Sequence, residues 1–220
     1  NPQGGFRVEC AAIASRDPLL SLHAPLLGVK GCTVIDHPLA QARLAIMRDK
    51  KTNTEAFRRA LGQLGLIILQ EATRDLDAKP KRIRTPLSQA GVQVLTRDIL
   101  LVPILRAGQG LIGLADQLLP EARIGYLGMV RDEMSLKPES YLEKIPGRLG
   151  RFEVIVCDPM LATGGSAIAA GRLLEQRGAK RLKFMHALAA PEGVKALRKA
   201  FPRAPIITAA LDDCLNEKGY

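Results

Sequence analysis

The residues best equipped for chemistry are Asp158-Pro159-Met160-Leu161-Ala162-Thr163-Gly164-Gly165-Ser166, which follow the apolar run Val154-Ile155-Val156-Cys157 without a break. A carboxylate accepts hydrogen bonds from sugar hydroxyls, and threonine and serine donate them to phosphate oxygens. Two adjacent glycines let backbone N–H groups approach an anion with no Cβ in the way. The run Ala167-Ile168-Ala169-Ala170 begins a helix whose N-terminal N–H groups face the same place. Together these groups suit a sugar phosphate. No lysine follows the glycines, so this is not the ATPase-type phosphate loop, and the Gly-x-Gly-x-x-Gly spacing of dinucleotide binders is absent. The spacing alone also fits an ordinary βα turn in which Thr163 or Ser166 caps the helix.

Two arginines have a similar double reading. Arg106 follows an apolar run and stands on a turn with Gly108 and Gly110, where a guanidinium suits a diphosphate or, more simply, nearby carbonyls. Arg131 stands beside Asp132 and Glu133, where a surface ion pair would be worth little. The three histidines, His23, His37 and His186, are not spaced as metal ligands, and His186, inside an apolar run, reads as a satisfied core residue rather than a base. The acidic residues Asp212, Asp213 and Glu217 read as a solvated loop or cap. Cys10, Cys32, Cys157 and Cys214 contain no Cys-x-x-Cys pair, which argues against a zinc site or disulfide framework and points to a reducing compartment.

Elements that position these groups can be read from periodicity. Strands are expected over 99–102, 124–130, 153–157, 182–188 and 206–209, because unbroken apolar runs suit buried parallel strands. Phe57, Leu61, Leu64 and Ile68 recur at helical spacing after a cap at Thr52 or Thr54. Further helices are expected over 111–119, ending at Pro120, and over 192–199. Residues 131–146 read as a projecting hairpin around Lys137-Pro138-Glu139, and Lys79-Pro80-Lys81-Arg82-Ile83-Arg84 with Pro86 as a basic surface loop. Alternating strands and helices predict a Rossmann-like α/β fold: a central, mostly parallel sheet flanked by helices, with a β-hairpin arm and its ligand at the carboxyl edge.

At 220 residues the chain is long enough for one sizeable domain, taken as 37–220, with 1–36 as an N-terminal extension. No apolar run approaches a membrane span, so no membrane insertion is expected. The formal charge of +10 fits a solvated surface, attraction for an anionic substrate, or an RNA or acidic partner. The absence of tryptophan and the scarcity of phenylalanine and tyrosine argue against a single-strand RNA reader. The extension sets Arg7, Arg16 and Lys30 against Glu9, Asp17 and Asp36, so it reads poorly as an intact transit peptide and better as the remainder of one or as a docking arm.

The stretch from Asp158 to Ser166 resembles the phosphoribosyl-diphosphate (PRPP) loop of type I phosphoribosyltransferases, in the uracil phosphoribosyltransferase version that has Pro159 in place of a second acid. Segments 99–110, 128–133, 189–193 and 211–220 resemble the same family in the same order, and the resemblance runs from about residue 35 onward. It implies pentosyl transfer from PRPP to N1 of uracil, giving UMP and diphosphate in pyrimidine salvage. It also implies PRPP-binding roles for Arg106, Arg131, Asp158, Pro159, Met160, Leu161, Ala162, Thr163, Gly164, Gly165 and Ser166, with Asp158, Arg106 and Arg131 as the catalytic set. Magnesium would be carried mainly by PRPP, with no metal ligand expected from the protein. The resemblance further implies a homodimer or homotetramer, GTP as an allosteric activator, and a cytoplasmic location, or a plastid or mitochondrion for a processed chain. The uracil-reading glycine-rich segment is expected beyond Tyr220. The competing reading is a non-catalytic homologue serving as a regulatory or structural subunit of a larger assembly, in contact with RNA through its basic surface.

Overall fold

Runs of aliphatic residues with neighbours pointing to opposite faces build a sheet buried on both sides. Leu100, Val102, Val154, Val156 and Phe184 pack in one apolar cluster, while Ile99, Leu101, Ile155, Cys157 and Met185 pack in a second cluster on the other face. The computed structural model describes residues 31–131 and 138–215. Residues 1–30, 132–137 and Asn216–Tyr220, including Glu217, and the Arg131 side chain lie outside the described residues.

In chain order the first half comprises β1 (Cys32–Val34), α1 (Pro38–Arg48), α2 (Thr54–Ala72), β2 (Ala78–Arg84), β3 (Gln89–Leu95), β4 (Asp98–Leu105) and α3 (Gly108–Leu111). Then follow β5 (Arg123–Ile124), β6 (Tyr126–Arg131), β7 (Pro138–Lys144), β8 (Phe152–Cys157), β9 (Met160–Leu161), α4 (Gly165–Gln176), β10 (Leu182–Ala189), α5 (Pro191–Ala200) and β11 (Ile206–Leu211). The main sheet runs β1-β11-β10-β8-β4-β6-β7, with β5 also paired to β4 and β9 to β10. Its pairs are parallel except for β6 with β7. The expected α/β architecture is therefore present. Leu44, Leu64, Ile68 and Leu69 of α1 and α2 cover one face, and Ala170, Leu174, Val194 and Leu197 of α4 and α5 cover the other.

Several local expectations differ from what forms. The cap of α2 is Asn53, whose side-chain oxygen accepts from the Ala56 N–H at 2.8 Å, rather than Thr52 or Thr54. His37 caps α1 in the same way, its Nδ1 accepting from the Leu39 N–H at 3.1 Å. The helix expected over 111–119 is only the short α3 followed by a 3-10 turn at Ala115–Gln117, in a stretch where Gly108, Gly110 and Gly113 weaken helical propensity. The expected strand 124–130 is broken at Gly125 into β5 and β6. The basic segment expected to be a loop is β2, paired antiparallel with β3 in a separate two-stranded ribbon. Pro80 is tolerated there because both strands of such a ribbon are edges. The hairpin expected at 131–146 is β6–β7, with Pro138 starting the second strand and β7 extending the main sheet rather than standing apart from it.

At the amino edge of the sheet, Lys183 is 4% exposed and its Nζ donates to the Ala72 carbonyl at 2.9 Å and to Asp75, with Glu153 at 3.5 Å. The ammonium thereby caps the carboxyl end of α2 and ties that helix to β8 and β10.

Candidate active site

Strand register assembles the site. Pro103 of β4 pairs with Cys157 of β8, and Leu105 of β4 pairs with Gly128 of β6, so the chain leaves three adjacent parallel strands at one edge. The turn 106–110, the loop 158–164 and the end of β6 therefore share the carboxyl edge, where open α/β sheets place their ligands. The closeness is steric as well as topological: a Cβ on Gly108 would stand 2.4 Å from the Cys157 carbonyl oxygen. Only glycine lets the turn after β4 pass over the end of β8.

The loop from Asp158 is clamped along its backbone. Pro159 oxygen accepts from both the Ala187 and Leu188 N–H groups, at 3.0 and 2.9 Å, and Leu161 oxygen accepts from Ala190 at 2.9 Å. Gly193, at the start of α5, lies so close that a Cβ there would be 2.3 Å from the Ala162 oxygen. Gly164 is the N-cap of α4 with φ +83°, a left-handed conformation that L side chains rarely adopt, and no side chain caps the helix there. The ordinary capped turn, with Thr163 or Ser166 in that role, is thus not what forms. Both residues are exposed, and among the described residues neither hydroxyl has a hydrogen-bond partner. Hydroxyls with no partner among the described residues, a bend in the left-handed region and the open N-terminus of a twelve-residue helix are groups that suit a cradle for an anion.

Asp158 is partly buried beside this cradle. Burial raises its carboxyl from the ordinary 3.8 to about 6, and the Met160 backbone N–H offsets part of that rise. It is still mostly ionised at neutral pH. His186 is fully buried in β10, with Nδ1 2.8 Å from the Asp158 carbonyl oxygen, while Nε2 has no partner among the described residues. Burial lowers this imidazole to about 4, so it is neutral. Arg106 is exposed, follows a cis Leu105–Arg106 peptide, and has no ion pair among the described residues. The backbone of Arg131 ends β6 at the same edge. Asp212 forms an ion pair with Arg48. Sequence reasoning missed the His186 bond to the loop; an isolated imidazole in an apolar run was its signal, without indicating which end would be used.

A fold of this kind is the fold of phosphoribosyltransferases: a hypoxanthine-guanine phosphoribosyltransferase from Bacillus anthracis superposes with a TM-score of 0.51 at 14% identity, covering 72% of this chain and 80% of that one. The AQ2163 protein from Aquifex aeolicus superposes with a TM-score of 0.79 at 36% identity, covering 86% and 91%. The family model described as Uracil phosphoribosyltransferase matches residues 34–220. The uracil phosphoribosyltransferase of Paracoccus denitrificans is 47% identical over 189 residues, 86% of this chain and 90% of that protein, and that of Lactiplantibacillus plantarum is 46% identical over 188 residues, 85% and 90%. The chain belongs to the uracil phosphoribosyltransferase family.

Proposed function

We propose that this protein transfers the phosphoribosyl group of PRPP to N1 of uracil, forming UMP and diphosphate. The observation that carries this reading is the cradle itself: two hydroxyls with no partner among the described residues, Gly164 in the left-handed region and the N-terminus of α4, in the loop that Asp158 opens on one sheet edge with Arg106. Thr163, Gly164, Gly165 and Ser166 hold the 5′-phosphate, with Pro159, Met160, Leu161 and Ala162 forming the rest of the loop's wall. Ionised Asp158 accepts hydrogen bonds from the ribose hydroxyls. Arg106 and Arg131 hold the diphosphate.

The C1′–O bond to diphosphate breaks, the C1′–N1 bond to uracil forms, and the N1 proton passes to the departing diphosphate or to water. Positive charge accumulates on the sugar and negative charge on the leaving group, so the rate comes from alignment and from cations placed at the diphosphate. Among the described residues no three His, Cys, Asp or Glu side chains gather to hold a metal. The donors present at the edge, one carboxylate and hydroxyls, fit a magnesium ion that arrives on the diphosphate and keeps water in its shell. When bound, it neutralises charge on the leaving group.

The test is UMP formation from labelled uracil and PRPP, with PRPP binding followed in parallel by calorimetry. Arg106→Ala removes a charge-assisted contact worth roughly 1.5–3 kcal/mol, so kcat/KM for PRPP should fall by about ten- to a hundredfold. A protein that makes no UMP and binds no PRPP, or an Arg106→Ala variant within twofold of the parent, overturns the reading.

A further inference from the structure

We infer that His186 is a positioning residue for ribose recognition, setting the Asp158 peptide through a side-chain hydrogen bond; this rests on the proposed role of Asp158. The parallel ladder between β8 and β10 ends at the pair Met185 and Cys157. The next N–H, that of Asp158, still donates to the Met185 carbonyl at 3.1 Å. Beyond it the regular pattern slips, because Ala187 and Leu188 both donate to the Pro159 oxygen. No backbone donor among the described residues is left for the Asp158 carbonyl, and the residue after it is a proline. His186 Nδ1 fills that gap at 2.8 Å.

A carbonyl only accepts, so Nδ1 carries the proton and the neutral ring has one tautomer. Consecutive residues of β10 thus hold both polar ends of the Asp158 backbone: the Met185 carbonyl takes its N–H, and the His186 ring donates to its C=O. The direction in which a side chain leaves the backbone follows from the peptide planes on either side of its Cα. Holding both planes aims the Asp158 carboxylate at the ribose. The ring's one hydrogen bond among the described residues is to the Asp158 carbonyl, and it makes none to Thr163 or Ser166, the hydroxyls assigned to the phosphate. Its effect should therefore appear in sugar recognition and be absent from phosphate binding.

The experiment uses the full chain with three variants and three probes: His186→Leu, His186→Gln and His186→Asn, each titrated with PRPP, ribose 5-phosphate and inorganic phosphate. Asparagine can put an amide N–H where Nδ1 was, whereas glutamine places its amide at the Nε2 position and leucine has no donor. A net hydrogen bond is worth about 0.5–1.5 kcal/mol, which corresponds to roughly two- to tenfold. His186→Leu and His186→Gln should lose about that factor in affinity for PRPP and ribose 5-phosphate, with a matching rise in KM for PRPP. Their affinity for inorganic phosphate should stay at the parent value, and His186→Asn should recover the ribose-dependent part. If the leucine variant does not fold, the glutamine and asparagine pair carries the comparison alone. Equal PRPP affinity in the parent and the glutamine variant, an equal loss for inorganic phosphate, or no recovery with asparagine each overturns the inference while leaving PRPP binding by the parent intact. A parent that binds no PRPP overturns the proposed function itself.

Discussion

Asp158 is the residue at which function and stability should pull in opposite directions, and pH separates them. Burial raises its carboxyl from 3.8 to about 6, so at pH 5 only about one tenth of the folded protein has it ionised, against almost all of it at pH 8. Because kcat/KM reports the free enzyme, its pH profile for PRPP should carry an acid limb near pH 6. Asp158→Asn removes the charge-assisted contact, which at pH 8 should cost roughly 1.5–3 kcal/mol, about ten- to a hundredfold. At pH 5 the gap between parent and variant should shrink about tenfold, since the parent has by then lost most of its carboxylate. Ionisation of PRPP is common to both proteins and cancels in that ratio. Stability runs the other way. A carboxyl whose folded pKa lies above its unfolded value contributes stability fully present below about 3.8 and lost as pH rises through about 6. The variant without ligand should therefore be more stable than the parent at pH 8, by up to about 3 kcal/mol, with the difference shrinking to about 0.6 kcal/mol at pH 4. Initial-rate profiles from pH 5 to 8.5 and urea denaturation at pH 4 and pH 8 read both effects. A parent-to-variant ratio that stays constant with pH, together with equal stabilities at pH 8, would refute the argument.

Two further outcomes follow from the packing. Lys183→Ala strands the buried Glu153 and an α2 carbonyl, so denaturant midpoints should report a loss of about 3–5 kcal/mol; adding Glu153→Gln should recover part of it, and KM for PRPP should hold steady because the cluster lies at the opposite edge of the sheet. Gly193→Ala drives a Cβ to 2.3 Å from the Ala162 oxygen, so α5 or the loop must move; stability should drop by about 1–3 kcal/mol and KM for PRPP should rise, and a variant with parental KM would show that the loop is not held from behind by α5.

Much of the architecture could be read in advance because its signal is local. Val154 to Cys157 and Ile99 to Val102 are apolar without interruption, which suits a strand covered on both faces, and the two runs do lie side by side. The acid, hydroxyls and paired glycines after Cys157 stand next to one another in sequence, so their chemistry was visible before any fold. The basic segment reads as a loop because Pro80 argues against a central strand, yet proline permits an edge, and a two-stranded ribbon consists of edges only. Apolar spacing from Leu111 to Leu119 suggests a full helix, but three nearby glycines prevail and only the short α3 and a 3-10 turn form.

The contacts that sequence could not reveal are those set by register between distant segments. Whether His186 meets Asp158, 28 residues earlier, depends on β10 pairing with β8 so that Met185 faces Cys157. A shift of one residue would turn the imidazole to the other face of the sheet and leave the Asp158 carbonyl without a donor. The same dependence explains Gly108 and Gly193, whose lack of a side chain matters only because β4 borders β8 and α5 packs behind the loop. In this protein the groups proposed to touch the ribose and its 5′-phosphate, Asp158 to Ser166, are contiguous and legible, while Arg106, Arg131 and the groups that aim the loop are its neighbours only through the sheet.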